Sequence, residues 1–423
     1  MNDGLASRAH HFLTKFLRAA LARVRNQLPV QPEFRVMPCS GIARFCVDVS
    51  RDLAAGASLL VHGAGRRSDP IAVPPKGGAV SIGVQTHLLP DGASRLVFAL
   101  EAGGTVVQSG TIDIQVSNPG PVAAQVRESL ARRNASLGFG GACDASLYPY
   151  ADPETAAWFD RPDALDEIAR RERAGALDAA DATTLRHFVE HGYVILEDLI
   201  DDALIDAVNR DIDEAVRGKY QDYVYGTSQR IEHLHLRAPH VRRLWLDERY
   251  LRVVDLIFGV RARPCQTLVF VFGSQQDPHQ DTIHLTPFPA GYMCGTWISL
   301  QDVVPDSGEL VVYPGSHREP RLRLHELGCA KVRGGDWSEF GAKVVPQWTR
   351  MSARYAPLVY RPRKGTVLIW HENLLHGGSL RRDPSLERRA LVVHSFAEGA
   401  VVYYDSTGLV GATTDPVAAR ASI

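Results

Sequence analysis

Three side chains in the second half of the chain are of types that bind transition metals, namely His279, Asp281 and His376. In an extended segment, residues i and i+2 point to the same side, so His279 and Asp281 can grip one ion together. Residues 364–370 read as a buried strand, and the turn after this strand could place His376 over the same ion. Two imidazoles and one carboxylate leave open positions on a non-heme Fe(II). The pattern therefore predicts an oxygenase.

The same residue types admit other interpretations. A His near an Asp is more often a surface ion pair, and zinc hydrolases also use His and Asp ligands. Iron is favoured by an arginine about a dozen residues beyond His376, at the start of a predicted strand. A planar guanidinium can hold a carboxylate through two hydrogen bonds, so we expect a 2-oxoglutarate anchor. Neighbouring residues of a strand face opposite sides; we favour Arg388 as the inward residue and keep Arg389 as its rival.

These residues belong to an ordered set of short motifs. In chain order the set comprises His-Gly-Tyr-Val-Ile-Leu at 191–196, His-Gln-Asp at 279–281, Trp-Ile-Ser-Leu-Gln-Asp at 297–302, Gly-Glu-Leu-Val-Val-Tyr-Pro-Gly-Ser-His at 308–317, and His-Gly-Gly-Ser at 376–379 followed by Arg388. On this set the chain resembles the phytanoyl-CoA dioxygenase (PhyH) family of Fe(II)/2-oxoglutarate-dependent oxygenases, over roughly residues 180–405. Family members usually show His-Gly-Ser. The extra glycine makes Ser379 the expected counterpart of the family's 2-oxoglutarate-contacting serine.

The resemblance implies a mechanism and its participants. Fe(II) is the expected cofactor, held by the catalytic residues His279, Asp281 and His376, with 2-oxoglutarate and O2 as cosubstrates. The expected outcome is hydroxylation with release of succinate and CO2, because related halogenases carry a small residue where this chain has Asp281. His284 and Trp297 are expected in the substrate pocket. The substrate itself, small or carrier-bound, is left open.

The segment 220–236 precedes the first candidate ligand, and it could form a lid over the site or be a solvated loop. His317 and His371 are expected in turns or behind the metal ligands, without binding the metal themselves.

The strand and helix patterns predict a mainly β protein with helices. Residues 181–410 are expected to form a double-stranded β-helix, or jelly roll, whose mouth can hold a metal. Residues 29–118 contain short alternating or apolar runs separated by Gly, Pro and Asp, and this pattern predicts a β-sandwich-like accessory domain. Residues 119–180 are interpreted as a helical linker, with Trp158 and Phe159 as a docking contact, and residues 411–423 as a tail.

Residues 1–28 predict an amphipathic basic helix that could lie on a membrane surface or mediate self-association. No transmembrane span is predicted, since about twenty consecutive apolar residues are lacking. A net charge of −1 argues against a nucleic-acid partner. Six cysteines without paired spacing suit a reducing, cytoplasmic location. The alternative function is a catalytically silent binding protein, in which the β-sandwich recognises a glycan or a protein.

Overall fold

The computed structural model describes residues 27–33 and 39–422. The predicted helix over residues 1–28 therefore lies almost entirely outside the described residues. The chain divides into two compact units, the first ending at Cys143 and including Leu147–Pro149, the second comprising Asp144–Ser146 and the chain from Tyr150 onward. Within the described residues, no helix is long and apolar enough to cross a bilayer.

The first unit consists mainly of two antiparallel sheets. Its elements are β1 (Val30–Pro32), β2 (Ile42–Val49), α1 (Arg51–Ala54), β3 (Ser58–Gly63), β4 (Arg66–Arg67), β5 (Ile71–Ala72), β6 (Gly78–Gln85), β7 (Gly92–Ala102), β8 (Thr105–Val116), α2 (Gly120–Arg132) and β9 (Gly138–Gly140). One sheet has the order β1-β2-β6-β9 and the other β4-β3-β7-β8, with β5 beside β3. Phe45 of the first sheet contacts Phe98 of the second, with ring centroids 5.4 Å apart.

The segment interpreted as a linker does not form a separate element. Strand β9 pairs with β6, so that Ile82 lies opposite Gly140, and this part of the chain belongs to the first unit. The remainder, from Tyr150 onward, belongs to the second unit. The sequence indicated a linker at 119–180 because this segment is mostly helical and charged, and its short glycine-rich strand resembles a loop.

The second unit contains helices and three sheets. Its helices are α3 (Ala164–Arg173), α4 (Ala179–His191), α5 (Asp202–Arg217), α6 (Pro239–Trp245), α7 (Glu248–Phe258), α8 (Ser338–Lys343), α9 (Val345–Ser352) and α10 (Pro416–Arg420). Its strands are β10 (Tyr193–Leu196), β11 (Arg230–Glu232), β12 (Ala262–Phe270), β13 (Thr286–Phe288), β14 (Met293–Ser299), β15 (Leu310–Val312), β16 (Leu358–Tyr360), β17 (Val367–His371), β18 (His376–Gly378), β19 (Ala390–Ala397), β20 (Val401–Tyr404) and β21 (Leu409–Val410).

The major sheet has the order β10-β17-β14-β19-β12-β11, and all of its neighbouring strands are antiparallel. A minor sheet, β16-β15-β18, faces it, and a third sheet has the order β13-β20-β21. One apolar cluster joins the major and minor sheets, with Leu268, Trp297 and Leu368 from the first and Leu310 and Val312 from the second. Helix α7 packs against β12 and β19. Two facing antiparallel sheets around a shared interior give this unit the predicted jelly-roll architecture.

Two local features position the part of the chain that precedes the first strand of this barrel. Helix α4 begins after Asp178, whose carboxylate accepts a hydrogen bond from the Asp181 amide, and it ends at Gly192, whose φ of +81° suits a residue without a side chain. Trp158 donates its indole N–H to the Ile257 carbonyl at 2.8 Å, and the Phe159 ring lies 5.6 Å from that of Phe188. Trp158 and Phe159 therefore pack inside the second unit.

Candidate active site

A backbone bridge brings the two candidate histidine ligands together. The His279 amide donates to the His376 carbonyl at 2.9 Å, and the His376 amide donates back to the His279 carbonyl at 3.1 Å. Asp281 follows at the start of a 3-10 turn, Asp281–Ile283. The two imidazole centroids lie 4.4 Å apart. The ligand atoms of the three side chains all lie within 4.8 Å of one another. The structure thus gathers the three residues that the sequence proposed.

Hydrogen bonds orient both imidazoles. His279 Nδ1 lies 2.8 Å from the Asp277 carbonyl oxygen, and His376 Nδ1 lies 3.0 Å from that of Leu374. Because a carbonyl only accepts, each Nδ1 carries the proton and each Nε2 keeps its lone pair. These Nε2 atoms lie 3.7 Å from Asp281, His279 facing Oδ1 and His376 facing Oδ2. A metal-binding imidazole is commonly held in this way.

The local electrostatics favour the metal-binding protonation states. Burial lowers the pKa of His376 to about 4, so its imidazole is neutral near pH 7. Burial alone would raise the pKa of Asp281, but the imidazoles of His376, His394 and His279 outweigh it and hold that pKa well below its usual range. Neutral imidazoles and an ionised carboxylate are the forms that bind a metal. Two nitrogens and one oxygen are a donor set that suits Fe(II).

Two residues that the sequence reasoning missed contact Asp281. The Trp370 indole N–H donates to Asp281 Oδ2 at 2.9 Å, and His394 Nε2 lies 3.4 Å from the same oxygen. A signal for His394 was available, because Val392 and His394 are two residues apart on β19 and both line the cavity, together with Arg388 just before the strand.

Arg388 is buried beside this cluster, with 2% of its surface exposed. Its Nε donates to the Gly308 carbonyl at 3.0 Å, while Nη1 is buried with no hydrogen-bond partner among the described residues. The guanidinium carbon lies 5.5 Å from the Trp297 ring centroid and 5.7 Å from that of Phe270. Burial lowers the pKa of Arg388 to about 10, so it stays charged near pH 7. A buried charge with an unused donor fits the carboxylate of 2-oxoglutarate.

Arg389 points the other way from Arg388, and both arginines immediately precede β19, which begins at Ala390. Its Nη1 pairs with Asp213 at 2.7 Å and its Nε with Glu387 at 2.6 Å. Ser379 donates its hydroxyl to the Glu309 carboxylate and is not among the residues that line the cavity. The structure thus provides no direct contact between Ser379 and the cavity. Its predicted role toward 2-oxoglutarate stays a prediction.

The metal cluster and Arg388 open on one cavity of about 670 Å³. Both predicted pocket residues, His284 and Trp297, line it. An aromatic wall forms part of the lining and consists of His284, Trp337, Phe340 and Trp348. Burial lowers the pKa of His284 to about 4. This wall comes from α8, α9 and the turn after Asp281, and sequence reasoning found only His284 in it.

The segment proposed as a lid is partly built into the sheet. Arg230 and Glu232 of β11 line the cavity, and the Tyr225 hydroxyl donates to Glu387 at 2.6 Å. His235 is buried instead, with its ring 3.8 Å from that of Trp245 and its Nδ1 2.9 Å from Thr267 Oγ1. The lid role stays a prediction.

A buried polar network includes His371 and Glu372. His371 Nε2 lies 3.1 Å from Asp160 Oδ1, and Arg321 pairs with Asp160 and, at 2.7 Å, with Glu372. The Glu372 carbonyl accepts from the Thr282 amide at 3.1 Å, directly after Asp281. His371 thus pairs with Asp160, and its expected place behind the ligands stays a prediction. His317 Nε2 lies 3.2 Å from the Val189 carbonyl oxygen, in a turn.

The jelly-roll barrel and the chemistry of its interior define a centre of the non-heme Fe(II)/2-oxoglutarate oxygenase class. Residues 188–390 match the family model described as Phytanoyl-CoA dioxygenase (PhyH). The resemblance to the phytanoyl-CoA dioxygenase family that was seen in the sequence is confirmed over this region of the chain.

Similar proteins carry the same family description. Phytanoyl-CoA dioxygenase domain-containing protein 1 of Mus musculus is 32% identical over 132 residues, which cover 31% of this chain and 43% of that protein. Its Rattus norvegicus counterpart is 33% identical over 105 residues, covering 25% and 34%. The chain thus spans less than half the length of these relatives.

Solved structures with some similarity include those of SnoK and EctD. The non-heme alpha ketoglutarate dependent carbocyclase SnoK from nogalamycin biosynthesis has 18% identity and a TM-score of 0.45, covering 55% of this chain and 89% of that one. EctD from S. alaskensis with 2-oxoglutarate and 5-hydroxyectoine has 18% identity and a TM-score of 0.42, covering 55% and 80%.

Proposed function

We propose that the protein hydroxylates a small or carrier-bound substrate, with conversion of 2-oxoglutarate and O2 to succinate and CO2. The observation that carries this proposal is the sharing of one cavity by the cluster His279, Asp281 and His376 and by the unpartnered Nη1 of Arg388. A zinc hydrolase does not require a buried arginine beside its metal to bind a carboxylate.

In this proposal His279, Asp281 and His376 hold Fe(II) through the two Nε2 atoms and a carboxylate oxygen. Arg388 binds the carboxylate of 2-oxoglutarate that is remote from the metal, since its Nη1 has no other partner among the described residues. When bound, Fe(II) and 2-oxoglutarate together supply the oxidising power that activates O2 for attack on a C–H bond. The family's serine contact would require Ser379 to leave Glu309.

The chain's other task is to place the substrate and to exclude water. The aromatic wall of His284, Trp337, Phe340 and Trp348 offers an apolar surface beside the metal ligands, and Trp297 continues it toward Arg388. An apolar lining around a few fixed polar groups orients a substrate and keeps the reacting centre dry. The presence of Asp281 supports hydroxylation rather than halogenation, because a carboxylate there occupies the position that a halide would need.

For the first unit we propose a β-sandwich that directs the substrate or a partner and takes no part in oxidation. In support, its two sheets contact each other through Phe45 and Phe98, and every residue assigned a chemical role lies beyond position 190. Self-association or membrane-surface binding is proposed only for the basic segment 1–28. A reducing compartment such as the cytoplasm would keep Fe(II) in its active state.

The direct test is incubation of the full chain with Fe(II), 2-oxoglutarate and a metabolite extract, in air and under argon. We expect a metabolite that gains one oxygen atom, in air only and only with 2-oxoglutarate, as seen by mass spectrometry. Loss of this product in His376→Ala, with Arg389→Ala as the matched control, would assign it to the site. Absence of both product and 2-oxoglutarate turnover would leave the alternative, a catalytically silent binding protein.

A further inference from the structure

One carboxylate oxygen of Asp281, Oδ2, contacts two side chains that are not among the proposed metal ligands. Oδ2 accepts the Trp370 indole N–H at 2.9 Å and faces His394 Nε2 at 3.4 Å. Among the described residues no hydrogen bond reaches Oδ1, which faces His279 Nε2 at 3.7 Å. A carboxylate with one oxygen engaged in this way cannot rotate freely. Oδ2 also faces His376 Nε2 at 3.7 Å. Oδ1, which accepts no hydrogen bond among the described residues, is the oxygen whose lone pairs are all available to a metal.

The neighbourhood of Trp370 is built to place its indole there. Trp370 lies on β17 opposite Gly295 of β14, and a Cβ at Gly295 would meet the indole at 2.2 Å. Any side chain at position 295 would therefore displace the ring from its contact with Asp281. Trp370 is buried, so its N–H has no access to water and depends on the carboxylate.

His394 is held in turn by a residue of the cavity wall. Gln266 Nε2 lies 3.0 Å from His394 Nδ1, and since an amide nitrogen only donates, Nδ1 accepts and Nε2 carries the proton. This tautomer aims an N–H at Asp281 and leaves His394 Nε2 without a lone pair for a metal. Gln266 lines the cavity in which the substrate is proposed to bind.

We propose that Trp370 and His394 are positioning residues of the metal centre, which hold Oδ2 of Asp281 so that Oδ1 binds the metal, and that Gln266 sets the tautomer of His394. This inference rests on the proposed function, since it assumes a metal between the three ligands. Partners of metal ligands typically contribute about 10- to 100-fold to metal affinity or activity. Gln266 further connects the proposed substrate-binding cavity to the orientation of a metal ligand.

The test is an anaerobic titration of the full chain with Co(II), whose visible absorption reports its coordination geometry. Trp370→Phe and His394→Leu should each weaken Co(II) binding about 10- to 100-fold and change the spectrum. His394→Gln, which keeps an N–H donor, should remain near wild type. The matched control is Trp158→Phe, because Trp158 also has a buried indole N–H but donates it to the Ile257 carbonyl at 2.8 Å and does not line the cavity. It should leave Co(II) affinity and spectrum unchanged.

Gln266→Leu tests the tautomer. It should change binding in the same direction as His394→Leu, and the double variant should be no worse than His394→Leu alone, since both act through one contact. Additive losses would overturn the role given to Gln266.

Circular dichroism checks that each variant folds. If His394→Leu fails to fold, the comparison of Trp370→Phe with Trp158→Phe decides between the inference and its rejection. Wild-type affinity and spectrum in Trp370→Phe and His394→Leu would overturn the inference. A loss in His394→Leu as complete as in His279→Ala would also overturn it, by making His394 a ligand. If the wild type itself bound neither Co(II) nor Fe(II), the proposed function would fail first.

Discussion

Removal of the Arg388 guanidinium tests the anchor for 2-oxoglutarate. This side chain is 2% exposed, and its Nη1 has no partner among the described residues. Loss of one member of a buried charge pair costs about 2–5 kcal/mol. At about 1.4 kcal/mol for each factor of ten, Arg388→Ala should weaken 2-oxoglutarate binding by about 30-fold to several thousand-fold. Arg388→Lys should fall between, because an ammonium keeps the charge but not the planar fork.

The assay is titration of 2-oxoglutarate into the Fe(II)-loaded protein without O2, with a separate Fe(II) titration. Fe(II) affinity should hardly change in Arg388→Ala, since Arg388 contacts none of the three ligands. Arg389→Ala is the control, because its ion pairs with Asp213 and Glu387 lie toward the surface, where such pairs contribute about 1 kcal/mol or less. The reasoning would be refuted if Arg389→Ala lost 2-oxoglutarate and Arg388→Ala kept it.

Three further predictions concern the ligands, the pH dependence of stability and the unit boundary. His376→Ala should abolish tight Fe(II) binding in an anaerobic titration, and Asp281→Gly should abolish hydroxylation; full hydroxylation by the second variant would show that Asp281 is no ligand. Burial lowers the pKa of His235 from 6.5 to about 4, so the unfolded chain binds a proton there that the folded chain does not, and stability falls as pH falls from 6.5 toward 4. His235→Phe should remove about 2 kcal/mol of the stability loss between pH 7.5 and pH 5 in urea unfolding, and an unchanged loss would contradict the assignment. A fragment of residues 144–423 should fold and bind Fe(II), whereas one starting at residue 183 should be less stable in thermal unfolding because it lacks Trp158 and Asp160; equal stability of the two fragments would contradict the packing described for those residues.

The sequence was most informative where function depends on local spacing. His279 and Asp281 are separated by one residue, and this spacing brings both to the same cavity. Arg388 and Arg389 are adjacent, and of the two only Arg388 lines that cavity. Trp370 and His394 escaped because their role depends on which strands are neighbours: β17 and β19 flank β14, and only that order brings both to Asp281. Strand order is set by long-range packing, which short-range periodicity does not record.

The boundary between the units illustrates a second limit. A separate linker was predicted at 119–180 because its helices are charged and its glycines resemble a loop. The structure uses Gly138–Gly140 as a strand and packs Trp158 and Asp160 into the second unit. Asp160 lies far from Arg321 and His371 in the sequence, so its buried ion pairs left no local signal.

The most direct test of the central claim is the O2-dependent conversion of 2-oxoglutarate to succinate by the full chain loaded with Fe(II). The account predicts slow succinate formation in air without added substrate, none under argon, and a strong reduction in Arg388→Ala at limiting 2-oxoglutarate. Fe(II)-loaded protein that neither binds 2-oxoglutarate nor forms succinate in air would contradict it.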